Sequence, residues 1–203
     1  MTTGTRITTL TAAMAGMLLA LPVCPATAAS GTHKSGNHAA ASSTAFIKEA
    51  AAGGMAEVEL GKLAQERAQS DEVKSFAKRM VDDHSKANDE LQQMAQKKNI
   101  TLSKQLDGKH KALYDRLSKL SGAQFDRAYM DAMLQDHRHD VAAFERETKS
   151  SDADVRDFAS RTLPTLQDHL ANAQQVDRAV ASSSSKSAHT STAGTGQHRA
   201  TNP

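Results

Sequence analysis

Four metal-capable side chains stand where apolar ones are due. Glu57 falls between Gly53 and Leu60, His84 between Met80 and Ala87, His137 between Met133 and Val141, and His169 between Leu166 and Ala173. Spacings of three, four or seven residues put each on the inward face of a helix. One inward histidine is commonly a hydrogen-bonded core residue. Three imidazoles and a carboxylate from four facing helices are how ligand sites are built in bundle cores, and such a set suits one transition-metal ion: copper, zinc or iron. Met80 and Met133 precede His84 and His137 by four residues, which offers two thioethers as additional ligands, better matched to copper(I) than to iron. Methionine is also a common core filler.

Counting from the turns places these groups along the molecule. Glu57 lies thirteen residues before Ser70 and His84 fourteen after it, so the two should face each other at one height. His137 lies fourteen before Ser151 and His169 eighteen after it, an offset of roughly 6 Å at 1.5 Å per residue. Met133, eighteen before that turn, is therefore the expected closer partner of His169. Asp82, Asp83, Asp136 and Asp140 flank the histidines in sequence. They are candidates to orient imidazoles, although neighbours on a helix point about 100° apart and most should be surface charges. His110 also interrupts a stripe, between Leu106 and Leu113.

The elements that must position these residues are four long helices. Helix-forming residues dominate and aromatics are 3%, which favours an all-α fold. Stripes mark helices over about 44–69 (Phe46, Ala50, Leu60), 71–97 (Val73, Ala77, Met80, Leu91), 122–149 (Phe125, Tyr129, Phe144) and 152–181 (Val155, Ala159, Leu166, Val176). Ser70 is placed to cap the second, Ser121 with Gln124 the third, and Ser151 with Asp154 the fourth. Pro164 predicts a kink near Ser160. Two tight hairpins are joined by residues 98–121, which hold an irregular piece and a short amphipathic helix. That connection can span a bundle, giving the ferritin-like four-helix arrangement with one long crossover.

Outside 44–181 the composition changes. Residues 1–28 read as a cleavable signal peptide, with Arg6, an uncharged run from Ile7 to Val23, and Ala26-Thr27-Ala28 before a cut after Ala28. A retained anchor, or a lipid on Cys24, is the alternative, and either would tie the chain to a membrane. Cys24 is the only cysteine, so a mature chain cut after Ala28 has no thiol chemistry. Residues 29–43 and 182–203 are small and polar, a composition for disordered tethers. His33, His38, His189 and His198 in them could catch metal loosely. The expected location is the periplasm or outer membrane. Net charge is +2 with acids and bases interleaved; no basic stripe or zinc-finger spacing points to nucleic acid.

The ordered part resembles the ferritin-like bacterial family catalogued as domain of unknown function 4142. The resemblance is carried by Gly53 to Gly61, by Met80-Val81-Asp82-Asp83-His84, by Phe125 to Tyr129 followed by His137, and by Leu163 to Leu170. It implies a four-helix ferritin-like fold in an exported protein and supplies no reaction. True di-iron bundles place Glu three residues before two histidines; Val81, Leu134 and Leu166 hold those positions here, which argues against a carboxylate-bridged di-iron oxidase. No nucleophile elbow or phosphate loop marks an enzyme. Two readings remain: a structural or partner-binding envelope protein, stress-related or a homo-oligomer, and a module that holds a transition-metal ion at the bundle centre.

Overall fold

The structure is a computed structural model that describes residues 33–192, with side chains described for residues 40–183. The expected signal peptide, Cys24, His198 and the side chains of His33, His38 and His189 lie outside the described residues. Five helices follow in order: α1 His33–Arg67, α2 Asp71–Lys97, α3 Gly108–Leu117, α4 Gly122–Glu147 and α5 Ala153–Thr192. α1 packs along α2 and α4 along α5, and α3, inside the crossover, lies against α1 and α4. This is the expected all-α, ferritin-like bundle. The outer helices run past their stripes, α1 beginning at His33 and α5 ending at Thr192, so they take in parts of 29–43 and 182–203, which were expected as disordered tethers.

Local chemistry fixes the helix ends. Ser70 caps α2, its hydroxyl accepting from Val73 N at 3.4 Å. Ser121 sits at the N-cap of α4 without a side-chain cap bond. At α5 the expected Ser151 cap is replaced by Asp152, whose carboxylate accepts from Asp154 N at 3.1 Å and Val155 N at 3.4 Å. A carboxylate one residue closer to the helix meets the positive end of its dipole better than a hydroxyl does. α2 stops in a Schellman turn, with Asn99 at φ 55° and Ile100 N donating to Ala95 O at 2.8 Å. Pro164 lies within α5, which continues through it.

α1 and α2 approach closely at Gly61, where a Cβ would stand 2.8 Å from Val81 Cγ2 and 2.9 Å from the Ala77 carbonyl oxygen. The α1–α2 turn is also held from across the bundle. Asp126 of α4 is buried, and its two oxygens accept from Gln69 N and Ser70 N, each at 2.9 Å. Asp126→Ala leaves both amides without a partner, and loss of such charge-assisted bonds costs about 2–4 kcal/mol. Urea denaturation should show that drop with an unchanged slope; a variant as stable as the parent would show that the clamp is idle.

The core falls into two apolar clusters. One gathers Leu60, Val73, Phe76, Met80, Phe125, Tyr129, Met133, Ala173 and Val176. The other gathers Phe46, Ile47, Leu91, Phe144, Val155, Phe158 and Leu166. On every long helix the polar residue of interest falls between the two clusters.

Candidate metal centre

Glu57, His84, His137 and His169 are buried, with relative exposures of 0%, 6%, 0% and 1%. The hairpin count holds for the first pair: His84 Nδ1 is 2.8 Å from Glu57 Oε2. In the second hairpin the expected order is reversed. His169 meets His137, its Nδ1 3.4 Å from His137 Nε2, while Met133 and Met80 belong to the apolar cluster below. The count assumed that both arms leave the turn at one height. Instead residues 148–150 continue along α4 with i→i+3 bonds, Lys149 N to Arg146 O and Ser150 N to Glu147 O. Five residues, 148–152, thus separate the two helices, and counting from Ser151 does not measure height along either of them.

The three imidazoles form one group. Ring centroids lie 5.7 Å apart for His84 and His137, 5.3 Å for His84 and His169, and 5.3 Å for His137 and His169. One nitrogen of each ring lies within 4.8 Å of the other two. Glu57 is outside that set and stands on the Nδ1 side, with Oε1 3.4 Å from His137 Nδ1. Neither Glu57 oxygen meets its neighbouring imidazole in hydrogen-bond geometry, and His84 Nε2 and the hydroxyl of buried Tyr129 have no hydrogen-bond partner.

Hydrogen bonds fix two of the tautomers. His137 Nδ1 lies 2.9 Å from the Met133 carbonyl; a carbonyl only accepts, so Nδ1 carries the proton and neutral His137 presents Nε2 as a lone pair. His169 Nε2 lies 3.0 Å from Asp83 Oδ2, which likewise leaves Nδ1 as a lone pair. Asp83 is the supporting carboxylate that the sequence offered for an imidazole. Burial works to raise its pKa, but the bond and charge of His169, with Arg79 and Lys86, outweigh it and the net shift is downward.

Burial governs the other ionisations. It pushes Glu57 up to about 8, with His137 opposing and Asp136 assisting. It lowers His169 to about 4, the Asp83 bond opposing it, and lowers His84 against the fields of Asp140, Asp83 and Asp136. Asp140 is raised well above the usual carboxylate range by burial, then by Glu57 and Asp136. It is one of the four carboxylates expected mostly at the surface, and it follows His137 by three residues and so shares its helix face. His110 lies apart on α3, its Nδ1 3.0 Å from Asp107 Oδ2.

An antiparallel bundle that gathers three histidines and a carboxylate at mid-height defines a class, the ferritin-like helical proteins with a polar centre in the core. Within it the chain belongs to the family described as Domain of unknown function (DUF4142), whose model matches residues 28–176. No curated protein matches it. Similar solved structures include a DUF305 fragment from Deinococcus radiodurans, 17% identical with TM-score 0.60, the match covering 66% of this chain and 94% of that one. Another is CopM in the Cu(II)-bound form, 16% identical with TM-score 0.55, covering 67% and 95%. Likeness at this identity is likeness of fold. Among the described residues no helix is long and apolar enough to cross a membrane.

Proposed function

We propose that this chain binds one transition-metal ion, copper(II) before zinc(II), through His84, His137 and His169, with Glu57 as a carboxylate at its edge. The observation that carries this reading is the 3.4 Å approach of His137 Nε2 to His169 Nδ1, two nitrogens that both present lone pairs. Two acceptors face each other favourably only with a cation between them. A shared proton is the structural alternative, and the burial that holds His169 near 4 opposes it at neutral pH. One ion can span this gap, since nitrogens bound at about 2.0–2.1 Å stand roughly 2.8–3.4 Å apart from square-planar to tetrahedral geometry.

Copper(II) leads because divalent affinities for nitrogen ligands peak there. The fold neighbour CopM, solved with Cu(II), supports the same choice. Export is part of the proposal: a chain cut after Ala28 has no cysteine, so imidazoles are the softest ligands it can gather besides methionine. The test is metal analysis of the full chain, purified without a histidine tag, exposed separately to copper, zinc and iron, then desalted. One equivalent of copper is expected, together with its loss in a variant carrying leucine at 84, 137 and 169. Retention of the same copper by that variant would assign binding to the terminal histidines instead, and no stoichiometric metal in the parent would leave a purely structural bundle.

A further inference from the structure

A metal centre this deep needs a way in, and the walls around it are not alike. On the α2 side His169 is backed by Asp83, whose oxygens lie 3.3 Å from Arg79 Nε and 3.5 Å from Lys86 Nζ. A cation arriving there meets two cations already paired with the carboxylate. The seam between α1 and α4 has the opposite character. Its outer end is marked by Glu49 and His139, 70% and 58% exposed, in contact at 3.2 Å across the two helices. Its inner end is the contact of Glu57 with His137. Gly53 lies one turn from Glu49 and one turn from Glu57, on the same face of α1. A Cβ there would meet nothing within 4 Å.

The α4 side of this gap is acidic. Asp136 and Asp140 are half-buried, one turn apart, and neither makes an ion pair with a lysine or arginine among the described residues. Asp136 stands at the α3 edge of this gap, in a cleft that Asp131 and His139 of α4 share with Lys109 and Arg116 of α3. The fields of Asp136 and Asp140 reach Glu57 and His84. Glu57 itself is fully buried, its oxygens beside His84 Nδ1 and His137 Nδ1, so the acidic face ends inside at a carboxyl that adjoins the imidazoles. From outside to inside the groups therefore run from exposed Glu49 and His139 through half-buried Asp140 and Asp136 to buried Glu57 and the three imidazoles.

We propose that the α1–α4 seam at Gly53 is the portal for the metal ion, with Asp140 and Asp136 as transient oxygen ligands that pass a divalent cation to Glu57 and the imidazoles. This rests on the metal-binding reading and adds a second, low-affinity stretch of site to it. Weak, exchangeable carboxylate contacts suit transit, because a tight site at the mouth would trap the ion there.

The discriminating experiment is stopped-flow copper(II) binding to the full chain, with equilibrium affinity measured by competition against a chelator. Gly53→Leu fills open space and raises helix propensity, so it should fold at least as well as the parent. It is expected to slow association and dissociation together by about tenfold or more while the equilibrium constant stays within about twofold. Asp140→Asn replaces a carboxyl by an amide, a poorer oxygen ligand, and should slow association. Association of the Gly53→Leu variant at the parental rate overturns the portal while leaving the site intact, as does a drop in its affinity without a matching change in both rates. A parent chain that binds no copper overturns the metal reading and the portal with it.

Discussion

Saturating copper(II) is expected to raise the melting temperature of the full chain by about 10 °C, and His137→Leu to erase the rise. An ion that binds only the folded chain stabilises it by about 4 kcal/mol at a thousand times its dissociation constant. For a domain of this size each kcal/mol is worth roughly 2–4 °C. His137 is the residue to remove because its Nε2 faces His169, its ring stacks edge-on to His84, and its Nδ1 is tied to the Met133 carbonyl. Without it the remaining two imidazoles lose the nitrogen that sits between α2 and α5. Leucine is close to histidine in volume and leaves the Met133 carbonyl within its helix, so the variant should fold. Its metal-free melting temperature should lie within a few degrees of the parent. Differential scanning calorimetry with and without copper separates the outcomes, and a variant that keeps the full copper-induced rise would sink the assignment of the three imidazoles.

How far the centre was legible in the sequence depends on which relation is asked for. Face is a local property, set by the 3.6-residue period, and the interrupted stripes placed Glu57, His84, His137 and His169 inward without reference to any other helix. Height across a tight turn is nearly local, and the Glu57–His84 pair followed from counting around Ser70, where the helices stop and start within three residues. Height across the α4–α5 turn is not, because five residues separate the helices there and their path, not their number, sets where each arm begins. That is why Met133 was expected beside His169 and His137 stands there instead. The supporting carboxylates were the least legible. Asp83 and Asp82 are neighbours in sequence, yet only Asp83 reaches His169, 86 residues away, and nothing but the packing of α2 on α5 decides between them. Asp140 could have been found from its three-residue step after His137, but a charge so near a surface histidine reads as solvated unless the partner helix is known to cover it.

The centre is also a place where the folded chain gives up stability. Glu57 is fully buried between two apolar clusters, with only the imidazoles of His84 and His137 beside its oxygens, an arrangement whose burial a cation would repay. Its pKa, raised to about 8 by burial, sets a measurable cost. The folded chain keeps a proton on Glu57 that the unfolded chain releases above 4.5, so the folded state loses ground as pH rises from 4.5 to 8. Asp140, raised for the same reason, acts in the same direction. His169 acts oppositely, because its folded value of about 4 lies below 6.5, and the stability it contributes is lost as pH falls between those values. The two effects offset each other between 4.5 and 6.5, and above 6.5 the carboxyls act alone.

For metal-free protein in chelator, the melting temperature should therefore fall between pH 6.5 and 8 by about 4–8 °C, from about 2 kcal/mol of proton linkage. Glu57→Gln keeps the shape, cannot ionise, and removes the charge that helps raise Asp140. It should flatten the slope to less than half and be more stable than the parent at pH 8 without metal. With copper the order should reverse, since an amide is a poorer ligand than a carboxylate and the ion no longer offsets a buried charge. Calorimetry at three pH values, with and without copper, reads both comparisons on the same two proteins. A parent whose metal-free melting temperature is flat or rising above pH 6.5 would mean that Glu57 is neither protonated nor strained in the folded state. The buried carboxylate would then lose its role as the group that makes an empty centre costly and a filled one stable.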